Sequence, residues 1–275
     1  MNNTVTRTIS GIGFLAVVLG GLLVNQYLYA ALFILMMVSM LYEFYRMTMG
    51  ELFPRTRALA IVMGCCSFLT LFFVMAFRLD FRLVGISAIL LLVLMISTLM
   101  VKDKADFKLF SFLYTGLLYI AAPLTLSNFV VFDPAGNFNG QPMLAFFIII
   151  WASDVGAYCV GMLLGKYSKK LFESVSPKKT WAGFWGGLVF AVLAGLILVW
   201  TGLWTYPWYH AIILSVIMHV AGVFGDLFES QWKRVCEIKD SGNIIPGHGG
   251  MMDRFDSALF AIPAGVIYLV IIGLL

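Results

Sequence analysis

The sequence predicts an all-α, polytopic integral membrane protein of about nine transmembrane helices, and three observations carry that prediction. Of the 275 residues, 61% are hydrophobic and 12% are charged, with a mean hydropathy of +0.96, far above what a water-soluble fold carries. Nine long runs are nearly free of charge, and each approaches the roughly 20 apolar residues needed to cross about 30 Å of hydrocarbon. Basic residues are confined almost entirely to alternate connections between those runs, as the positive-inside rule requires of loops on one membrane face.

In chain order the runs cover residues 8–24, 27–42, 58–77, 83–101, 109–132, 143–165, 182–203, 208–225 and 258–275. The first follows Arg7 as a secretory signal would. It lacks a small-residue cleavage site and eight more runs follow it, so it reads as a retained helix. Nine spans put odd and even connections on opposite faces. On the face of the N-terminus fall Arg7, then Arg46, Arg55 and Arg57, then Lys102, Lys104 and Lys108, then the lysines at 166, 169, 170, 178 and 179, and finally Lys233, Arg234, Lys239 and Arg254. Only Arg78 and Arg82 fall on the other. The N-terminus and the long polar loops are therefore expected in the cytoplasm, with the C-terminus outside the cell (inner) membrane. The net charge of +4 is then a consequence of topology. No basic stripe with interleaved aromatics points to nucleic acid. Cys65, Cys66 and Cys159 lie in spans and Cys236 in a loop, a pattern that fits neither a disulfide framework nor a zinc site.

No internal repeat, low-complexity tract or soluble segment interrupts the chain, so residues 1–275 read as one membrane domain. Within it, residues 1–140 are apolar helices with short loops and only ordinary interfacial charges. Residues 141–275 hold the polar features that need an account, and three stand out.

The first is Asp154, midway along the sixth run in WASDVGAYCVGMLLGK. An ionisable group at that depth costs several kcal/mol unless it faces a cavity or a partner. It is either hydrogen-bonded to a neighbouring helix or functional, and Tyr158 shares its face. Ala157, Gly161 and Gly165 form a ridge of small residues four apart, which suits close helix packing within one chain or between two chains of a homodimer. The second feature is SPKKTWAGFWGG, residues 176–187. Ser176 is expected to cap a helix start with Pro177 in the first turn, whose free amides beside Lys178 and Lys179 would attract phosphate. The two lysines are equally explained as anchors at the lipid headgroups.

The third feature is the segment from Asp226 to Asp256, where charge density rises abruptly between two apolar runs. If the eighth helix continues past Asp226, then Asp226, Ser230 and Lys233 share one face. Asp253 and Asp256 are three apart at the mouth of the ninth helix. Carboxylates at two adjacent helix ends suit a hard cation such as Mg²⁺, which takes a few carboxylates plus substrate phosphates. Between them Gly242, Gly247, Gly249 and Gly250 surround Pro246 and His248. Their backbone is suited to a phosphate-binding concavity, and also to a plain turn.

Residues 230–256, SQWKRVCEIKDSGNIIPGHGGMMDRFD, resemble the signature of the phosphatidate cytidylyltransferases, or CDP-diacylglycerol synthases. Its fixed positions are Ser230, Lys233, Arg234, Lys239, Asp240, Pro246, His248, Gly249, Gly250, Asp253, Arg254 and Asp256, all at the expected spacing. The likeness extends to GDLFES, to SPKKTW and more loosely to the helix of Asp154. It departs at Ala182, where many relatives carry a polar residue. The resemblance implies the reaction of CTP with phosphatidic acid to give CDP-diacylglycerol and pyrophosphate, with Mg²⁺ required. Both reactants are strongly anionic, so catalysis should rest on neutralising charge and holding an in-line geometry. The expected metal ligands are Asp226 and Asp253, with Asp256 and Asp240 as further candidates. Lys233, Arg234, Lys239 and Arg254 are expected to hold phosphates, with Lys178, Lys179, Asp154, Gly249 and Gly250 also lining the substrate site. Ser230 and His248 are placed by the motif without an assigned step. Two competing readings are a CTP-using enzyme acting on another lipid and a secondary transporter with Asp154 as its coupling carboxylate.

Overall fold

The computed structural model describes residues 3–99, 106–244 and 249–275. Lys102, Lys104, Pro246, Gly247 and His248 lie outside them. Among the described residues, helix covers each of the nine expected runs, and eight segments are long and apolar enough to cross a membrane. The protein is a polytopic helical membrane protein.

Helix α1 is Asn3–Leu23 and α2 is Gln26–Met49. Asn25 opens α2 by accepting the amides of Tyr27 and Leu28 at 2.9 Å each, leaving fewer unsatisfied donors at the helix start. Gly50, at a φ of +60°, closes it. This helix runs past the expected end at residue 42 and so carries Glu43 and Arg46 inside it. Helix α3, Pro54–Phe77, has its proline in the first turn, where no N–H is missed. Helix α4 is Gly85–Thr98. The fifth segment is broken into α5 (Ser111–Gly116), a π turn (Leu117–Ala121), α6 (Ala122–Leu126) and α7 (Asn128–Val131). Pro123 has no N–H for the carbonyl four residues back, which favours the wider turn beside it.

These elements, with residues 240–254, form one compact unit. Its core is aromatic: Tyr29, Phe33, Phe68 and Phe72 are fully buried. The buried Tyr45 hydroxyl donates to the Leu113 carbonyl at 2.9 Å.

The second unit comprises residues 140–239 and 255–275. It contains α8 (Gln141–Leu164), the strands β1 (Lys170–Phe172) and β2 (Ser176–Thr180), α9 (Trp181–Trp200), α10 (Trp208–Val235) and most of α11 (Met252–Ile271). The small-residue ridge packs within the chain. A Cβ at Gly183 of α9 would lie 3.0 Å from the Ala157 carbonyl and 3.6 Å from the Gly161 Cα, and one at Gly187 would lie 2.9 Å from the Ser153 carbonyl.

The SPKKTW segment differs from expectation. Ser176 does not cap a helix and Pro177 is not in a first turn: residues 176–180 form β2, antiparallel to β1 with Lys170 opposite Thr180. The residue before a proline is driven out of the helical region. The helix starts four residues later instead, with Thr180 in extended conformation (φ −127°) accepting the Gly183 amide at 3.2 Å.

Candidate active site

Carboxylates from three helices gather in the second unit. Helix α10 continues past Asp226 to Val235, and Gly222 and Gly225 set its distance from α11: a Cβ at Gly225 would lie 2.6 Å from the Asp256 carbonyl and 3.4 Å from the Ser257 Cα. Asp226 and Asp256 are thereby brought close. Asp154 of α8 is exposed and also close, so that the charges of Asp226, Glu229 and Asp154 all act on Asp256. Lys179, projecting from β2, forms an ion pair with Asp226 and acts electrostatically on Asp154 as well. Ser230 donates a long hydrogen bond of 3.4 Å to Asp226 Oδ1. Lys233 pairs with the fully buried Glu229 at 2.8 Å, one helical turn back. Among the described residues neither Asp154 nor Asp256 has an ion pair, so negative charge is in excess.

Among the described residues no three His, Cys, Asp or Glu side chains are arranged to hold a metal ion by themselves. Mg²⁺ sets a lower requirement, because it keeps waters and binds through one or two carboxylates completed by substrate phosphates. Asp226 and Asp256, with Asp154 nearby, fit that requirement.

The first unit contains a second pair of carboxylates in a different state. Glu43, in the last third of apolar α2, is 3% exposed. Its Oε1 accepts the Met251 amide at 3.0 Å, and its Oε2 accepts the Met252 amide at 2.9 Å and the Ser241 hydroxyl at 3.3 Å. Asp253 Oδ2 accepts the Ser241 amide (3.0 Å), the Ser241 hydroxyl (3.0 Å) and the Gly250 amide (2.9 Å). Three backbone amides at the start of α11, Gly250 to Met252, are thus directed at protein carboxylates. The glycines also serve this arrangement. A Cβ at Gly242 would lie 2.8 Å from the Glu43 carboxyl carbon, and one at Gly250 would lie 2.7 Å from Glu43 Oε2. Only Gly249 among the described glycines of the strip has a positive φ, +86°. Asp253, expected as a metal ligand, accepts three hydrogen bonds at Oδ2 within its own unit.

The sequence profile of the Cytidylyltransferase family matches residues 5–272, nearly the whole chain. The chain belongs to the cytidylyltransferase family. Its relatives include the protein named phosphatidate cytidylyltransferase of Bacillus subtilis (strain 168), 37% identical over 172 residues, which is 62% of either chain. The protein of that name from Staphylococcus haemolyticus (strain JCSC1435) is 33% identical over 171 residues, 62% of this chain and 63% of the relative. That of Staphylococcus saprophyticus is 42% identical over 117 residues, 42% of this chain and 44% of the relative. The matched stretches thus span less than two-thirds of these relatives.

The remaining signature residues of this cytidylyltransferase-family chain lie at the ends of α10 and α11. Helix α10 stops where Glu237 adopts a left-handed φ of +55° and the Ile238 amide returns to the Lys233 carbonyl at 2.9 Å. Beyond that stop Lys239 and Asp240 are exposed, as are Lys178, Arg234 and Arg254. Arg234 Nε reaches the Val175 carbonyl only at 3.4 Å. Burial pushes the Cys236 thiol above its usual range, so it is no poised nucleophile. Sequence reasoning missed Glu43, Ser241 and Glu229. Glu43 has a readable signal, as a lone acid inside LYEFYRM, one residue past the end of the second charge-free run.

Proposed function

We propose that the protein transfers the cytidylyl group of CTP to phosphatidic acid, releasing pyrophosphate and forming CDP-diacylglycerol for phospholipid synthesis. The observation that carries this reading is the convergence of Asp154, Asp226 and Asp256 from three apolar helices, with Lys179 paired to Asp226. Uncompensated carboxylates in a membrane protein call for a cation, and a cation beside lysines suits a polyphosphate. The signature supplies the substrate pair, and the names of the relatives agree with it.

In this reading a phosphate oxygen of the lipid attacks the α-phosphorus of CTP, the bond from that phosphorus to the bridging oxygen breaks, and pyrophosphate leaves. The lipid phosphate is already ionised, so no general base is needed. Asp226 and Asp256 would hold Mg²⁺, which supplies charge neutralisation for the triphosphate and the departing pyrophosphate. Lys179 and Lys178 on β2, with Lys233 and Arg234 on the last turn of α10, would hold phosphate oxygens against their mutual repulsion. Lys239 and Arg254 are assigned the same kind of contact. Lys179 would exchange Asp226 for substrate phosphate as CTP enters. The distribution of basic residues supports a cytoplasmic face for these groups, where CTP is found.

The test is direct. Membranes containing the protein, supplied with labelled CTP, phosphatidic acid and Mg²⁺, should yield cytidine in the organic phase. Absence of lipid-linked cytidine beside an active control enzyme would reject the proposal.

A further inference from the structure

We infer that Glu43, from the N-terminal half of the chain, is a positioning residue that holds the start of α11 and the signature turn at Ser241 in their working shape. Three observations lead to it. The first is burial: a carboxylate 3% exposed within an apolar helix survives only if its charge is met by donors. The second is the identity of those donors. Met251 and Met252 provide the first amides of α11, which no turn of that helix precedes to satisfy. Glu43 thus caps α11 from another helix, with its negative charge at the positive end of the helix dipole. The third is the glycine pattern. Gly242 and Gly250 are positions where any Cβ would press on Glu43 or Ser241, so part of the glycine-rich strip exists to admit this side chain.

The consequence reaches the signature through Ser241. Its hydroxyl lies 3.3 Å from Glu43 Oε2 and 3.0 Å from Asp253 Oδ2. With one proton it serves one carboxylate at a time, while its amide, with that of Gly250, remains on Asp253. Glu43 therefore orients Asp253 indirectly, by fixing the backbone that Asp253 binds. Both Glu43 oxygens accept and neither donates, the pattern of an ionised carboxylate. A glutamine in its place would turn an N–H₂ group toward an amide or hydroxyl donor, and the cap would be broken on one side without loss of volume.

The catalytic part of this inference rests on the proposed cytidylyl transfer, and two separate readouts distinguish its failure from failure of that reading. Amide hydrogen exchange is measured over residues 249–256 in the full-length protein, in wild type and Glu43→Gln, together with turnover of CTP and phosphatidic acid. Exchange in that segment should accelerate about tenfold or more in Glu43→Gln, with exchange in α8 and α9 unchanged. The kcat should fall about 10- to 100-fold while KM for CTP stays within about threefold, as for a residue that places reacting groups without touching substrate. Glu43→Asp should recover part of both.

Unchanged exchange in Glu43→Gln overturns the inference. Accelerated exchange with wild-type turnover overturns its catalytic part. Accelerated exchange with an inactive wild type leaves the cap standing and rejects the proposed reaction instead. If Glu43→Gln does not fold, Ser241→Ala tests the same link: faster exchange at Gly250 and a smaller kcat loss are expected, and wild-type values for both would overturn it.

Discussion

The two carboxylate clusters of this chain differ in how their charge is met. Glu43 and Asp253 are surrounded by donors of the protein itself, including backbone amides at 2.9 to 3.0 Å, and Glu43 is buried. Asp154, Asp226 and Asp256 have few donors and mutual repulsion; Lys179 pairs with Asp226, whose side chain remains 32% exposed. A satisfied buried carboxylate contributes to the fold. An unsatisfied, accessible one costs stability in the free protein, and such a cost is expected where a ligand completes the set. The contrast separates residues of equal chemistry within one signature.

The comparison can be broken most sharply at Asp256. Asp256→Asn should lower turnover about 10³-fold or more without lowering the apparent unfolding midpoint, because it removes repulsion against Asp154, Asp226 and Glu229. A large loss of stability in that variant would place Asp256 with the satisfied cluster. Lys179→Met should come next, with about a 10- to 100-fold loss in kcat/KM carried mainly by KM for CTP; an unchanged KM would remove Lys179 from the phosphate contacts.

On the satisfied side, Gly250→Ala forces a Cβ against Glu43 and Ser241. It should cost about 1–3 kcal/mol of stability, read as a lower midpoint. The smallest effect belongs to Gly20→Ala in α1, where nothing lies within 4 Å of the added carbon. There the midpoint should stay the same or rise slightly, since alanine favours helix by about 0.5–1 kcal/mol, and activity should not change.

The spans were legible because lipid permits so few solutions: a long apolar run in a membrane must be helix to satisfy its backbone. The boundaries were less so. Charge marks the end of an apolar run and not the end of a helix: α2 carries Glu43 and Arg46 within it, and α10 continues through Asp226 to Val235. The placement of Asp226 beside Ser230 follows from helical spacing and is found, and the pairing of Lys233 with Glu229 is a second contact one turn apart on the same helix. The strand at 176–180 was hidden because serine before proline reads as a helix start by residue type, while its backbone preference is extended. Glu43 was hidden for another reason. Its donors are backbone amides some 200 residues away in sequence, and no local pattern announces such a contact.

The most direct test of the distinction between the clusters is the apparent unfolding midpoint of the purified protein, with Mg²⁺ and CTP or with EDTA, in wild type and Asp256→Asn. The account predicts that Mg²⁺ with CTP raises the wild-type midpoint by several degrees, and that Asp256→Asn starts at or above the wild-type value in EDTA and does not respond. An Asp256→Asn protein that starts well below wild type and still gains as much from Mg²⁺ and CTP would contradict it.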